Sequence, residues 1–434
     1  MSKKEAEAAA AKPANIIQLK LSSLMGLCIC LVAATAVSTA VLMFGLLQLT
    51  QPDDSLAFGQ PSPLATAKPD TNPPWGELIK YDLEVEQPDE YVAFEPVSNR
   101  VPQWFFPGQT PVQVREALQK AGFNAKQIES ALTSTAITIA PDATIITPDA
   151  TIITPGTELI QSLTTEVRKN LYTELAHTDR NRYMRFPYCF MTNRAEEFFA
   201  KSGVAPEVVN HVARLTYERH GKYYFSDVET VMNQIPTSEA RLHFFKTLSR
   251  SSVVMARLRI RPDTDVEKLI GYWSGNKLVR QKDLKPLLES LRRNDEGGTV
   301  SLMYLLPPFA RERLYTTPLP SNPGDPNMDC HWSAMNFFNS EPDFRFSDLN
   351  YTAAFVKSNY YPVAQPTAYG DIVFLLDSEG NAIHSAVYIA DDIVFTKNGN
   401  NYAQPWILMR LPNLLALYSV TDTPRIACYR NKNS

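Results

Sequence analysis

From Leu21 to Leu49 the chain reads LSSLMGLCICLVAATAVSTAVLMFGLLQL, without one charged residue. Few features restrict a chain more. A bilayer span needs about 20 apolar residues, because the hydrocarbon core is roughly 30 Å thick and a helix rises about 1.5 Å per residue. Secretory signal peptides have shorter apolar cores, about 7–15 residues. The stretch before the run carries Lys3, Lys4, Lys12 and Lys20 against Glu5 and Glu7, a balance that favours the cytoplasmic side. The expectation is a membrane helix over residues 21–49 that contacts the bilayer, with a cytoplasmic tail over 1–20. The bulk of the chain then lies outside the cytoplasm, in a periplasm or at a cell surface.

The remainder is long enough for more than one domain, and its apolar share of 44% is that of a chain with real cores. A net charge of -4 gives no reason to expect nucleic acid as a partner, since that recognition needs a basic face. Residues 50–107 are rich in Pro and acidic side chains and read as an extended tether. Residues 108–305 read as mostly helical. Thr110, Pro111 and Gln113 open a helix with a capping box, and Gly122 ends it. Further helices are expected at Ala125–Leu132, Thr165–Ala176, Arg194–Lys201, Pro206–His220, Ser226–Gln234, Glu239–Leu248, Val266–Trp273 and Lys282–Arg292. The near-identical copies of PDATIIT within Ile137–Gly156 read as a local duplication in a surface loop with short extended pieces.

This helical region offers little chemistry. His211 and His220 fall on opposite faces of one predicted helix, and His177 and His243 stand alone, so no metal site is expected. No cofactor is implied either. Of the five cysteines, Cys28 and Cys30 lie in the apolar run, which leaves Cys189, Cys330 and Cys428. A single bridge between Cys189 and Cys428 is open to the chain in an oxidising compartment, but there is no disulfide framework.

Residues 306–434 read as an α+β domain with an antiparallel sheet. Asp329 is a good N-cap and places Cys330 in the first turn of a helix running through Trp332, Met335 and Phe338. A thiol there is favoured as thiolate by the unpaired N–H groups of the turn. Gly370–Leu376 reads as a buried strand, and Ile383–Ala390 as a second, with His384 near its start. Asp391 turns the chain into Ile393–Thr396. Strand parity puts His384 and Ala386 on one face. Around a turn at Asp391, Asn398 comes opposite His384 and Thr396 lies diagonally beside it, while Lys397 points away.

Asp-Cys at a helix start, then GDIVFL, then His at the head of HSAVYIA, resembles the NlpC-type cell-wall cysteine peptidases. The similarity covers about Asp329 to Asn398. It implies a papain-like fold with Cys330 as nucleophile and His384 as its general base. A third polar residue orients the base in that family. Counting along the family pattern gives Thr396, whereas hairpin geometry and chemistry give Asn398, and both stay open. His331 and Trp332 stand where the family has small residues, so they and Asp329 are candidate substrate-binding positions. The implied activity is a cysteine amidase or peptidase, and the implied substrate is peptide from bacterial peptidoglycan. The competing reading is a papain-like module that binds or scaffolds without catalysis, its helical region docking envelope partners. The oligomeric state is not legible.

Overall fold

Six strands of the C-terminal part form one antiparallel sheet. They are β1 (Tyr360–Val363), β2 (Ile372–Leu376), β3 (Ala382–Ala390), β4 (Ile393–Lys397), β5 (Trp406–Arg410) and β6 (Arg425–Asn431), in the order β1-β6-β2-β3-β4-β5. Every ladder is antiparallel. Strands β2 and β4 are buried at every position, because both faces of the sheet are covered. On one face Val387, Ile389 and Phe395 share a core with Trp332, Ala334 and Met335 of helix α1 (Cys330–Met335). On the other, Ala386, Tyr388 and Val394 pack with Leu411 and Leu414 of helix α2 (Leu411–Tyr418). Such strands read as continuous apolar runs for that reason. Asp391 makes the β3–β4 turn at φ 56°, a left-handed conformation that Asp tolerates. Gly370, at φ 94° before β2, leaves room for Phe338, whose ring would stand 2.4 Å from an added Cβ.

The structure, a computed structural model, describes residues 73–92, 100–133, 135–136, 150–192, 194–275, 278–318, 328–399 and 403–433. The described residues all belong to one unit, Pro52–Ser434. Within it the core that holds α1 extends back to Val254. A three-stranded antiparallel sheet contributes to it, ordered Glu77–Val85, Ser251–Ile260, Gly298–Ser301. A separate core gathers residues from Trp104 to Leu248. Its helices follow the expected caps: Thr110 and Gln113 close a capping box at Pro111–Ala121, and Gly122 ends that helix at φ 101°. Two small sheets complete it, one of Trp104–Pro107, Ala150–Ile153 and Thr135–Ala136, the other of Tyr188–Phe190, Lys222–Phe225 and Tyr217–Arg219. This second core reaches the C-terminal part at α2 and the turn after it. Tyr224 Oη donates to the Ala416 carbonyl at 2.6 Å, and the Arg219 guanidinium donates to the Val420 carbonyl.

Several expectations are corrected here. The apolar run at 21–49 lies outside the described residues, as do residues 50–72. Among the described residues no helix is long and apolar enough to cross a membrane. The longest, Gln281–Arg292, has 12 residues, about 18 Å at roughly 1.5 Å per residue against a core of about 30 Å. The single-pass membrane topology that the run suggested, with its cytoplasmic tail and extracytoplasmic bulk, is corrected to that extent: no described helix supplies a span. The fold is α+β with antiparallel sheets. The expected tether contains a nine-residue strand, Glu77–Val85, and the expected helical region contains the ten-residue strand Ser251–Ile260. Both carry period-two apolar patterns, Ile79-Tyr81-Leu83-Val85 in the first and Ala256-Leu258-Ile260 in the second. Helix Pro206–Leu215 stops at Thr216, and Tyr217–Arg219 is strand. The second PDATIIT copy supplies Ala150–Ile153, the central strand of its sheet, with Ile153 fully buried; residues 137–149 lie outside the described set. Cys189, Cys330 and Cys428 are all free thiols, so no bridge joins Cys189 to Cys428.

Candidate active site

Asp329 builds the first part of the site. Its side chain accepts from the Trp332 N–H at 2.9 Å, and its carbonyl accepts from Ser333 Oγ at 2.6 Å. The cap therefore fixes Cys330 as the first residue of α1. Trp406 of β5 donates its indole N–H to Ser333 Oγ at 2.8 Å and ties the helix to the sheet. Cys330 is 6% exposed.

His384 approaches from β3. It is fully buried, and its Nε2 is paired with Thr396 Oγ1 of β4 at 2.7 Å. The ladder pairs Val387 with Phe395 and Tyr388 with Val394. Continuing that register brings Asn398 opposite His384 and Thr396 diagonal to it, yet the bond goes to Thr396. Asn398 lies beyond the end of β4, its Nδ2 faces the Met409 sulfur at 3.9 Å, and its Oδ1 is buried without a hydrogen-bond partner. Of the two open candidates, geometry brings only Thr396 onto the ring. With Nε2 committed, Nδ1 is the nitrogen left to face the thiol, and it forms no close hydrogen bond at rest.

A second imidazole reaches the same thiol. His331 follows Cys330 in α1, and its Nδ1 is paired with Ser385 Oγ of β3 at 3.1 Å. The ring stacks over Phe374 at 6.4 Å. Burial alone would push the Cys330 thiol up. The charges of His331 and His384 and their hydrogen-bonding influence instead hold it well below the ordinary thiol value. Burial likewise opposes a charged His331, but the thiol and the Asp329 carboxylate raise that ring to about 9. Burial and the neighbouring thiol raise the Asp329 carboxyl.

Two further groups enclose the site, and sequence reasoning missed both. Tyr418, the last residue of α2, lies over His384 with ring centroids 4.4 Å apart. Burial and the charges of Cys330 and Asp329 hold its hydroxyl protonated. Nothing in LPNLLALY points to that role, which depends on where α2 docks. Lys397 does point away from His384, as strand parity says, but towards the α1 face, where it is fully buried. Burial lowers it to about 8, against the pull of Cys330 and Asp329. Its ammonium donates to the Gly399 carbonyl at 2.9 Å. Trp332, expected to touch substrate, is fully buried instead, packed on Phe309 at 5.3 Å and Phe344 at 5.8 Å. Asp329 serves the helix cap, and His331 serves the thiol. Among the described residues no group of three His, Cys, Asp or Glu side chains forms a metal site.

Compared with known proteins, the chain matches no protein family, no curated protein and no solved structure.

Proposed function

We propose that the chain is a cysteine hydrolase of the amidase or peptidase type, with Cys330 as nucleophile, His384 as general base and Thr396 as the residue that orients the base. One observation carries this reading: the capped thiol of α1 interacts with the β3–β4 hairpin, where the imidazole of His384 and the hydroxyl of Thr396 pair at 2.7 Å. That is the order of contacts nucleophilic catalysis by cysteine requires. The thiolate attacks an amide carbonyl, the amine leaves, and water resolves the acyl-enzyme. The developing oxyanion calls for backbone N–H donors close to Cys330. The likeness of DC, GDIVFL and HSAVYIA to the NlpC-type peptidases supports the choice of amide substrates and directs the search to peptidoglycan peptides.

The burial of Cys330 and His384 favours a second reading, a module of the same fold that binds without turnover. One assay separates the two. Wild-type chain, Cys330→Ser and His384→Ala are incubated with cell-wall peptides, and both hydrolysis and an acyl adduct on Cys330 are followed by mass. Hydrolysis confined to the wild type, with the adduct on Cys330, supports the hydrolase. Equal behaviour of all three proteins overturns it and leaves the binding module.

A further inference from the structure

Cys330 sits between two imidazoles, and each has one nitrogen held by a hydroxyl of the sheet. His384 is held by Thr396 on the α2 side, and His331 by Ser385 on the α1 side. Neighbouring residues of β3 point to opposite faces, so His384 and Ser385 serve the thiol from the two sides of one strand. The reading of Cys330 as nucleophile uses only the His384 side.

The two rings are not equivalent hosts for a proton. His384 is fully buried beneath the Tyr418 ring, with Nε2 taken by Thr396. Burial opposes a charge on His331 as well, but the adjacent thiol and then the Asp329 carboxylate of the same turn act in its favour. Other titratable groups around the thiol are Lys397 from β4 and Tyr418 from α2. With Nδ1 against Ser385, the nitrogen of His331 left for the sulfur is Nε2.

We propose that His331, seated by Ser385, is a second catalytic imidazole that holds the proton of the Cys330 thiol in the resting protein. This rests on Cys330 being the nucleophile. The Sγ–H bond breaks and an N–H bond forms on His331 Nε2, which leaves a thiolate beside an imidazolium. On attack the Sγ–C bond forms. As the C–N bond of the amide breaks, the departing nitrogen takes the proton from His331. His384 takes a proton from the water that cleaves the thioester; the Sγ–C bond breaks, the thiolate departs, and that proton passes on through the sulfur to His331. Ser385 is a positioning residue that fixes which ring nitrogen faces the sulfur.

The test is the pH profile of Cys330 alkylation by iodoacetamide in the full chain, read by peptide mass so that the other cysteines do not interfere. The shape of the profile is compared, because slow access to a buried thiol scales its height alone. One pKa unit is about tenfold in thiolate fraction below the midpoint. At pH 6, His331→Gln is expected to lower labelling about tenfold or more relative to its own plateau, and Ser385→Ala about threefold. His384→Gln is expected to lower the relative labelling less than His331→Gln does, while abolishing amide hydrolysis. Ser385→Ala carries the test if His331→Gln does not fold. Wild-type profiles for both variants overturn the proposal, and so does loss of low-pH labelling in His384→Gln alone. A depressed thiol that depends on His331 in a chain that hydrolyses no amide would sink the hydrolase and keep the ion pair.

Discussion

Thr396 decides the orientation of His384 at the scale of one residue. Its hydroxyl is buried with the ring, so its removal leaves Nε2 of His384 without a partner in a place water does not reach. Leaving a buried polar group unsatisfied costs about 1–3 kcal/mol. Thr396→Val, which keeps shape and drops the hydroxyl, should therefore lower stability by about that amount and lower kcat about tenfold or more. Thr396→Ser should restore most of both. Asn398→Ala should leave kcat within about twofold, since its Oδ1 holds nothing. Equal losses in the Val and Ala variants, measured by urea unfolding and by turnover, would return the third role to Asn398. The candidates for nucleophile and base were legible in the sequence because a capped Cys and a His in an alternating strand are local patterns. The choice between Thr396 and Asn398 was not, because both lie on one face and only side-chain reach separates them.

At the scale of the element, α1 is six residues long and makes little helix on its own. It persists because Asp329 caps it, Ser333 bonds back to Asp329, Trp406 holds Ser333, and Trp332 and Met335 are buried against the sheet. Loss of an N-cap costs about 0.5–2 kcal/mol. Asp329→Ala should cost about that much in thermal unfolding. Asp329→Asn keeps the cap and removes the charge, and should be nearly neutral for stability. A cost in the Asn variant as large as in the Ala variant would mean that charge, not capping, holds the turn. The helices Val266–Trp273 and Ser238–Leu248 were readable almost to the residue, since their caps and apolar stripes are local. Glu77–Val85 and Ser251–Ile260 were hidden by their neighbourhoods, one among prolines and acids and the other in a helical run. Period-two spacing was the signal available, and pairing between strands far apart in sequence gives it meaning.

Over the whole molecule, an ion network fastens strand Glu77–Val85 to the six-stranded sheet. Lys80 meets Asp391 at 2.6 Å and Asp392 at 3.0 Å, and Arg410 meets Asp82 and Asp392, each at 2.7 Å. Burial raises the Asp392 carboxyl, but the hydrogen bonds from Arg410 and Lys80 and their charges hold it below the ordinary range. A group depressed on folding contributes stability above its unfolded value, about 3.9, and loses it as pH falls through the folded value. The midpoint of thermal unfolding should thus drop below about pH 4, and Asp392→Asn should lower it at neutral pH and flatten that acid limb. Parallel curves for the two proteins would show that the network adds nothing. The sequence by itself determined the α+β character of the C-terminal part, the boundaries of several capped helices and the candidacy of a capped thiol and a strand histidine, because capping, period and turn chemistry act over a few residues. Only the tertiary structure decided that Thr396 holds His384, that Ser385 seats His331, and that Tyr418 and Lys397 close around the thiol. Those contacts depend on which sheet face each helix covers, and burial of apolar area sets that across the whole chain.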